Sequence, residues 1–372
     1  MPASADAFAS HGDHLSRIGA FLRHELRPYP GRTAAVVRTM IACIITMLLV
    51  MMFQLPNGFL AVFYAVAISR AAPHATVRNG FNIILGNAAG LALAAAGMIL
   101  FLDHHLLHFL FIIAVCFLAF FLARTLTNYA TAFGFGLILI AATSVNIIWM
   151  RPGHSAPDVG TAIWTAFGIF LGSAATVLTE WLFTLRGHLP NEPAPPQPMF
   201  AADAFSNPEY VSFALKGCLA AAICYVFWSA TDWPGLGVCT VTCLIAAPLG
   251  TPGTPQQRFL TRLTGLLIGG VVCGIGSQVF ILPRIDSIVG FTLAFAIVSA
   301  IAAWFVMSSP QFNYFGRQMA LAYYLTIFQN FGPNASLTES RDRLLGILLG
   351  LTVMWLVFDA ASSRQATARL AA

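Results

Sequence analysis

The strongest constraint on the fold is the recurrence of long apolar stretches along most of the chain. Mostly apolar runs follow one another from residue 35 to residue 361, separated by short breaks that contain polar residues, proline or glycine. A helix needs about 20 apolar residues to cross the hydrocarbon core of a bilayer. The pattern therefore predicts an all-α membrane protein with a lipid bilayer around it.

Twelve transmembrane helices are expected, in two groups of six. The predicted spans of the first group are 35–54, 58–72, 80–101, 106–123, 130–150 and 160–184. Those of the second group are 211–230, 235–250, 260–282, 287–308, 315–331 and 343–361. The second span of each group is short.

Composition excludes a single water-soluble domain. The chain is 58% hydrophobic and only 9% charged, whereas an ordinary soluble protein has roughly 25% charged residues. The net charge of +5 comes from basic residues that are scattered singly rather than clustered. We therefore expect no nucleic-acid partner, and we interpret the basic excess as a membrane-orientation signal.

Several positions in the two groups of spans correspond to each other at a constant offset. The positions that match at an offset of 178 are Pro56 and Pro234, Arg38 and Lys216, Gly168 and Gly346, and Gly172 and Gly350. The pair Asn128-Tyr129 recurs as Asn313-Tyr314 at an offset of 185, as expected where a loop is longer. Because each group has an even number of spans, both groups begin on the same side of the membrane. They are therefore predicted to be two parallel six-helix repeats. Transporters are often built in this way, with the substrate path between the halves.

These observations divide the chain into five segments. They are a cytoplasmic N-terminal segment at 1–33 with an amphipathic helix, a first membrane unit at 34–184, a Pro-rich cytoplasmic linker at 185–210, a second membrane unit at 211–361 and a cytoplasmic tail at 362–372. Prolines in the linker disfavour a helix there.

The distribution of basic residues predicts the orientation. If the N-terminus is cytoplasmic and twelve spans follow, fifteen of the 19 Lys and Arg residues lie on the cytoplasmic side. The other four, Arg151, Arg284, Arg341 and Arg343, lie on the far side. Because cytoplasmic loops carry the excess of basic residues, both termini are expected in the cytoplasm.

Ionisable residues within membrane spans are costly and usually functional. Arg38 and Lys216 occupy matching positions near the start of each unit, so a two-fold arrangement would place them on opposite walls of one cavity. Two cations there would attract a carboxylate substrate. The further candidate substrate-binding residues are Arg78, Arg262, Asn128, Tyr129, Asn313 and Tyr314. The alternative role for such cations is to mark topology by snorkelling to the membrane surface.

Other chemistry finds little support in the sequence. There is no phosphate-binding glycine loop and no hydrolase spacing, so we expect no catalytic residues, no metal site and no cofactor. The seven cysteines are expected to pack as small apolar residues. Glu180 is expected to form an ion pair with an arginine rather than to carry protons. Five Gly-x3-Gly pairs within spans indicate close helix packing.

Several motifs resemble the fusaric-acid-resistance family of inner-membrane proteins. They are Val37-Arg38-Thr39, Leu55-Pro56-Asn57-Gly58, Arg78 before Gly86-x3-Gly90, and Arg343-Leu344-Leu345-Gly346-x3-Gly350. The resemblance covers both units. It implies an inner-membrane protein that exports aromatic carboxylic acids or other toxic compounds, often together with a periplasmic adaptor protein. Many members carry large cytoplasmic domains after each unit, whereas this chain has a short linker and tail there.

Three functions are compatible with the sequence. The first is gradient-driven efflux of organic acids, aromatic carboxylic acids in particular, by a transporter that could form a homo-oligomer. The second is an anion channel, since the aluminium-activated malate channels of plants are distantly similar. The third is a membrane scaffold without transport, against which the paired basic positions argue.

Overall fold

A computed structural model describes residues 26–101, 104–128, 159–185, 198–231, 233–246, 255–329 and 332–371. The described chain is mostly helical; β1 (Phe328–Gln329) pairs antiparallel with β2 (Gly332–Pro333), and Leu126 forms an isolated antiparallel bridge with Phe200. The expected all-α class is therefore confirmed. The predicted N-terminal amphipathic helix and the predicted span 130–150 lie outside the described residues.

The described helices fall into two successive sets. The first set is α1 (Arg32–Phe53), α2 (Gly58–Ile68), α3 (Pro73–Phe101), α4 (His105–Thr125) and α5 (Val159–Leu185). The second set is α6 (Pro208–Thr231), α7 (Val238–Ala246), α8 (Pro255–Leu266 with its π-helical continuation), α9 (Ile288–Val306), α10 (Pro310–Ile327) and α11 (Leu337–Ala371).

Six stretches in the described part of the chain are helical, long and apolar enough to cross a membrane. They are Arg32–Phe53, Pro73–Phe101, Ile163–Thr184, Pro208–Trp228, Gln257–Arg284 and Ile288–Val306. Two shorter apolar helices, Gly58–Ile68 and Phe109–Thr125, accompany them. Each described helix overlaps one predicted span, although α3 begins before the predicted residue 80 and α11 continues through the predicted tail.

Local sequence explains where several helices begin and end. α1 ends at Gln54, which has a φ of 51° and whose backbone N–H donates to the Val50 carbonyl. Asn57 adopts a φ of 54° just before α2. Asparagine tolerates this left-handed conformation, and Pro56 between the two positions cannot continue a helix. Proline is the first residue of α3, α6, α8 and α10, where the missing N–H costs nothing.

Helix α8 differs from the regular helix that the sequence predicts. After Leu266 it continues as π-helical turns over Leu267–Ile275 and Ser277–Ile281. Such wider turns are uncommon in proteins and are frequent at functional sites. The glycine-rich sequence of this segment lies against α10, where Gly269 approaches the backbone of Met319.

Within each set, the same kinds of helix pairs are in contact. In the first set α1, α2 and α5 pack against one another, and α3 packs against α5. In the second set α6, α7 and α11 pack against one another, and α8 packs against α11. Between the sets, α4 packs on α6 and α9 packs on α1. The helices of both sets contribute to one continuous apolar core.

Two glycines allow matching close approaches in the two sets. A Cβ atom on Gly172 of α5 would lie 2.1 Å from the Ala61 carbonyl oxygen of α2. A Cβ atom on Gly350 of α11 would lie 2.6 Å from the Cys239 carbonyl oxygen of α7. Both the glycines and their partners are related by the offset of 178. The close helix packing that the Gly-x3-Gly pairs indicate is thus confirmed at both positions.

The substitution Gly172→Ala is expected to destabilise the protein, because the new methyl group must displace the backbone of α2. Overpacking of this kind costs about 1–3 kcal/mol. The measurement is the thermal unfolding temperature of the purified protein in detergent. The matched control is Gly276→Ala in α8, where the nearest atom to a new Cβ lies at 3.9 Å. Equal unfolding temperatures for the two variants would contradict the proposed contact.

Candidate functional site

The charged and aromatic contacts place particular helix ends on the same side of the molecule. Side chains at the start of α1 reach the end of α9 through Arg32 and the end of α5 through Arg38. The start of α10 lies beside the end of α9, because Asn313 Nδ2 donates to the Val306 carbonyl at 2.5 Å. Arg262 of α8 lies over the ring of Tyr314. We call this side the Arg32 side.

Arg38 and Glu180 form a buried ion pair on the Arg32 side. Arg38 Nε lies 2.8 Å from Glu180 Oε2, and the two side chains are 1% and 2% exposed. A terminal nitrogen of Arg38 also donates to the Ala71 carbonyl at 3.1 Å, and Thr76 hydrogen-bonds to Glu180. The expected pairing of Glu180 with an arginine is therefore confirmed. The pair joins α1, α3 and α5 within the first set of helices.

Arg32 joins the two sets of helices. Its guanidinium donates to the Trp304 carbonyl at 2.7 Å and to Ser308 Oγ at 2.5 Å, and it lies 4.4 Å from the centre of the Trp304 ring. Tyr29 adds a hydrogen bond from its hydroxyl to the Met307 carbonyl at 2.8 Å. The last carbonyls of α9 thus receive cationic and neutral donors, as favoured at a helix C-terminus.

A second group of cations lies where α8 and α10 meet. Arg262 of α8 lies 4.9 Å from the centre of the Tyr314 ring and hydrogen-bonds to its hydroxyl. Arg258 precedes Arg262 by one helical turn, and its charge interacts with those of Arg262 and Arg124. Arg124 ends α4, so this group includes residues from both sets of helices. Arg317 of α10 is buried and also acts electrostatically on Tyr314.

The remaining predicted site residues are more dispersed. Lys216 lies half-buried on α6 and forms no ion pair or hydrogen bond with a described residue. Arg78 lies half-buried on α3, and its Nε likewise has no partner among the described residues. Asn128 follows α4, and Tyr129 lies outside the described residues. The structure therefore brings Arg262, Asn313 and Tyr314 together, whereas Arg38 faces Glu180. A shared cavity between Arg38 and Lys216 stays a prediction.

Gln318 is one residue of this region that the sequence alone did not indicate. It lies one turn after Tyr314 on α10, is 2% exposed, and accepts a hydrogen bond from the Tyr314 hydroxyl at 3.4 Å. The four-residue spacing from Tyr314 is the sequence signal that could have identified it, because such residues share a helix face.

Metal ligation finds no support among the described residues, where no group of three His, Cys, Asp or Glu side chains could hold an ion. All seven cysteines are free thiols. Five of them, Cys43, Cys116, Cys224, Cys239 and Cys243, are buried in the apolar core, which confirms their packing role.

Residues 41–179 match the family model described as fusaric acid resistance protein-like. The resemblance that the motifs predicted is thereby confirmed for this part of the chain. The matched range begins just after Arg38, within α1. It includes the Leu-Pro-Asn-Gly turn at 55–58 and Gly172.

The chain also resembles curated proteins named "Multidrug resistance protein MdtO". The protein from Shigella flexneri is 36% identical over 175 residues, which are 47% of this chain and 25% of the relative. The protein from Escherichia coli strain K12 is 36% identical over 170 residues, which are 45% of this chain and 25% of the relative. The chain therefore matches about a quarter of the length of these relatives. No solved structure matches it.

Replacing Glu180 by Gln is expected to lower the free energy of unfolding by about 3–5 kcal/mol, because the buried Arg38 charge loses its partner. Chemical unfolding in mixed micelles measures the change. Adding Arg38→Gln to the same chain should recover part of the loss.

The control for this comparison is Asp342→Asn, since Asp342 pairs with the largely exposed Arg341 at 2.8 Å. Its loss should cost at most about 1 kcal/mol. A Glu180→Gln chain as stable as the Asp342→Asn chain would contradict the structural role of the buried pair.

Proposed function

We propose, from the match of residues 41–179 to the fusaric acid resistance protein-like family, that this chain is the membrane part of an efflux transporter for organic anions. The relatives are named multidrug resistance proteins, which supports export of toxic compounds. The substrates that we propose are aromatic carboxylic acids. The same proposal places the protein in the inner membrane with both termini in the cytoplasm.

The helix packing supports two parallel six-helix repeats with twelve spans. The contacts among α1, α2 and α5 have counterparts among α6, α7 and α11. The contact of α4 with α6 has its counterpart in the contact of α9 with α1. A two-fold axis along the membrane normal would relate these pairs. In this arrangement the substrate path runs between the repeats.

The observation that carries the proposal is positive charge without a carboxylate partner in the part of the chain that the structure describes. Lys216, Arg78 and Arg258 are half-buried and have no carboxylate partner among the described residues, whereas Arg38 is neutralised by Glu180. A partly buried cation favours an anion beside it. A transported carboxylate would provide that charge during each cycle.

The driving force that we propose is an ion gradient or the membrane potential. For an anion leaving a cell with a negative interior, the potential contributes about 2.3 kcal/mol per charge at 100 mV. A channel would use the same potential without coupling, so the kinetics of flux distinguish the two mechanisms. A periplasmic adaptor protein and a homo-oligomer are compatible with this role.

Purified protein in liposomes is expected to transport an aromatic carboxylate such as benzoate with saturable kinetics. The rate should increase with an imposed pH gradient or potential. Lys216→Gln should lower the rate several-fold, because the substituted chain lacks one of the cations that attract the substrate.

The matched control is Arg284→Gln, since Arg284 lies at the opposite end of α8 from Arg258 and is exposed. Its flux should equal that of the parent. Ion currents without saturation would assign the chain to the anion channels. Absence of any benzoate flux in the parent would overturn the proposed function.

A further inference from the structure

The contact between α8 and α10 contains a buried polar group without a hydrogen-bond partner among the described residues. The two helices run parallel and approach closely at Gly265, where an added Cβ would lie 3.0 Å from Gln318 Cβ and 3.0 Å from the Phe315 carbonyl oxygen. Gln318 therefore lies in a tight seam between the helices, and its side chain cannot turn freely towards lipid.

Of the two polar atoms of the Gln318 amide, one has a hydrogen-bond partner among the described residues. Its Oε1 accepts the hydrogen bond from Tyr314, but its Nε2 has no hydrogen-bond partner among the described residues. Buried donors in proteins are almost always paired, and an unpaired one calls for an explanation. An acceptor oxygen supplied by a ligand would satisfy this donor.

One arginine side chain lies over the ring of Tyr314, the hydrogen-bond partner of Gln318, and a second precedes it by one turn on α8. Tyr314 connects Gln318 to Arg262, which stacks on the tyrosine ring and bonds to its hydroxyl. Arg258 lies one turn away on the same face of α8, and its Nε is buried without a partner among the described residues. Its described electrostatic neighbours are the arginines Arg262 and Arg124. Like charges gathered in this way favour an anion among them.

Aromatic side chains adjoin these polar groups. The rings of Phe305, Phe312 and Phe315 form a cluster in which Phe305 and Phe315 have centroids 4.9 Å apart. Phe312 and Phe315 flank Tyr314 in sequence on α10. Phe312 and Phe315 lie within two helical turns of Gln318 on α10, and stacking of an aromatic ligand on such rings is favourable.

We propose that Gln318, Arg258 and Arg262 form a binding site for the carboxylate of an aromatic monocarboxylic acid, with Gln318 Nε2 donating to a carboxylate oxygen. The Arg258 guanidinium supplies the counter-charge, and Tyr314 orients both Arg262 and Gln318. Arg124 places the site at the boundary between the two sets of helices. This assignment rests on the proposed export of organic anions and names the residues that bind the substrate.

The test is equilibrium binding of labelled benzoate to the full chain in nanodiscs of zwitterionic lipid. Benzamide, which has nearly the same shape but no charge, should bind at least about tenfold more weakly, because hydrogen bonds to charged groups are the stronger ones. Gln318→Leu and Arg258→Gln should each weaken benzoate binding by about tenfold.

Two further variants keep the result interpretable. Gln318→Glu has almost the same volume as the parent and should abolish benzoate binding by repulsion, even if Gln318→Leu disturbs the helix contact. Arg27→Gln removes an exposed charge on the same side and should leave the affinity unchanged. Equal binding of benzoate and benzamide, or parental affinity in the Gln318 variants, would overturn the site.

The outcome separates the site from the proposed function. Parental benzoate binding that the variants lose, without any flux in liposomes, would support the site and overturn the export function. Flux with an unchanged KM in the Gln318 variants would support export and overturn the site. Displacement of benzoate by phosphatidylglycerol in the nanodisc would assign the site to a lipid headgroup and would also overturn it.

Discussion

The close approach of α5 to α2 at Gly172, and of α11 to α7 at Gly350, is the contact on which the rest of the helix packing depends. Helices within lipid gain little from the hydrophobic effect, so their association relies on van der Waals contact between closely spaced backbones. Glycine is required because any Cβ would meet a carbonyl oxygen at 2.1 Å in one contact and 2.6 Å in the other. Once these pairs are formed, α1 and α6 have fixed surfaces to pack against, and the Arg38 and Lys216 positions are set.

The charged residues then divide into two kinds. Arg38 and Arg32 both have partners within the protein: Glu180 neutralises Arg38, and Arg32 donates to the end of α9 and stacks on Trp304. Both hold helices together. Arg258 and Lys216 have no such partners among the described residues. Since an isolated charge in a low-dielectric environment is costly, the unsatisfied cations are better candidates for ligand binding than the satisfied ones.

Hydropathy and the offset of 178 were sufficient to predict the helical class and the approximate position of every described helix. They also predicted that Glu180 would pair with an arginine, but not that its partner would be Arg38. Which arginine pairs with Glu180 depends on how each helix is rotated about its axis. A nearly uniform apolar span has no polar face, so its periodicity does not predict that rotation. The π-helical part of α8 and the half-satisfied amide of Gln318 were not predicted for a related reason. Both arise from contacts with α10, and those contacts are tertiary rather than local.

The differences between the two sets of helices argue for a division of labour. The offset that relates Arg38 to Lys216 relates Glu180 to Phe358, whose ring packs against Phe213. The cation has been kept in the second set, whereas Phe358 occupies the strict offset position of Glu180 and Asp359 follows it directly in the sequence. A buried salt bridge contributes positioning more readily than net stability. The first set thus keeps a closed ion pair that joins its helices. The second set carries Lys216 at the corresponding position, without a carboxylate partner among the described residues.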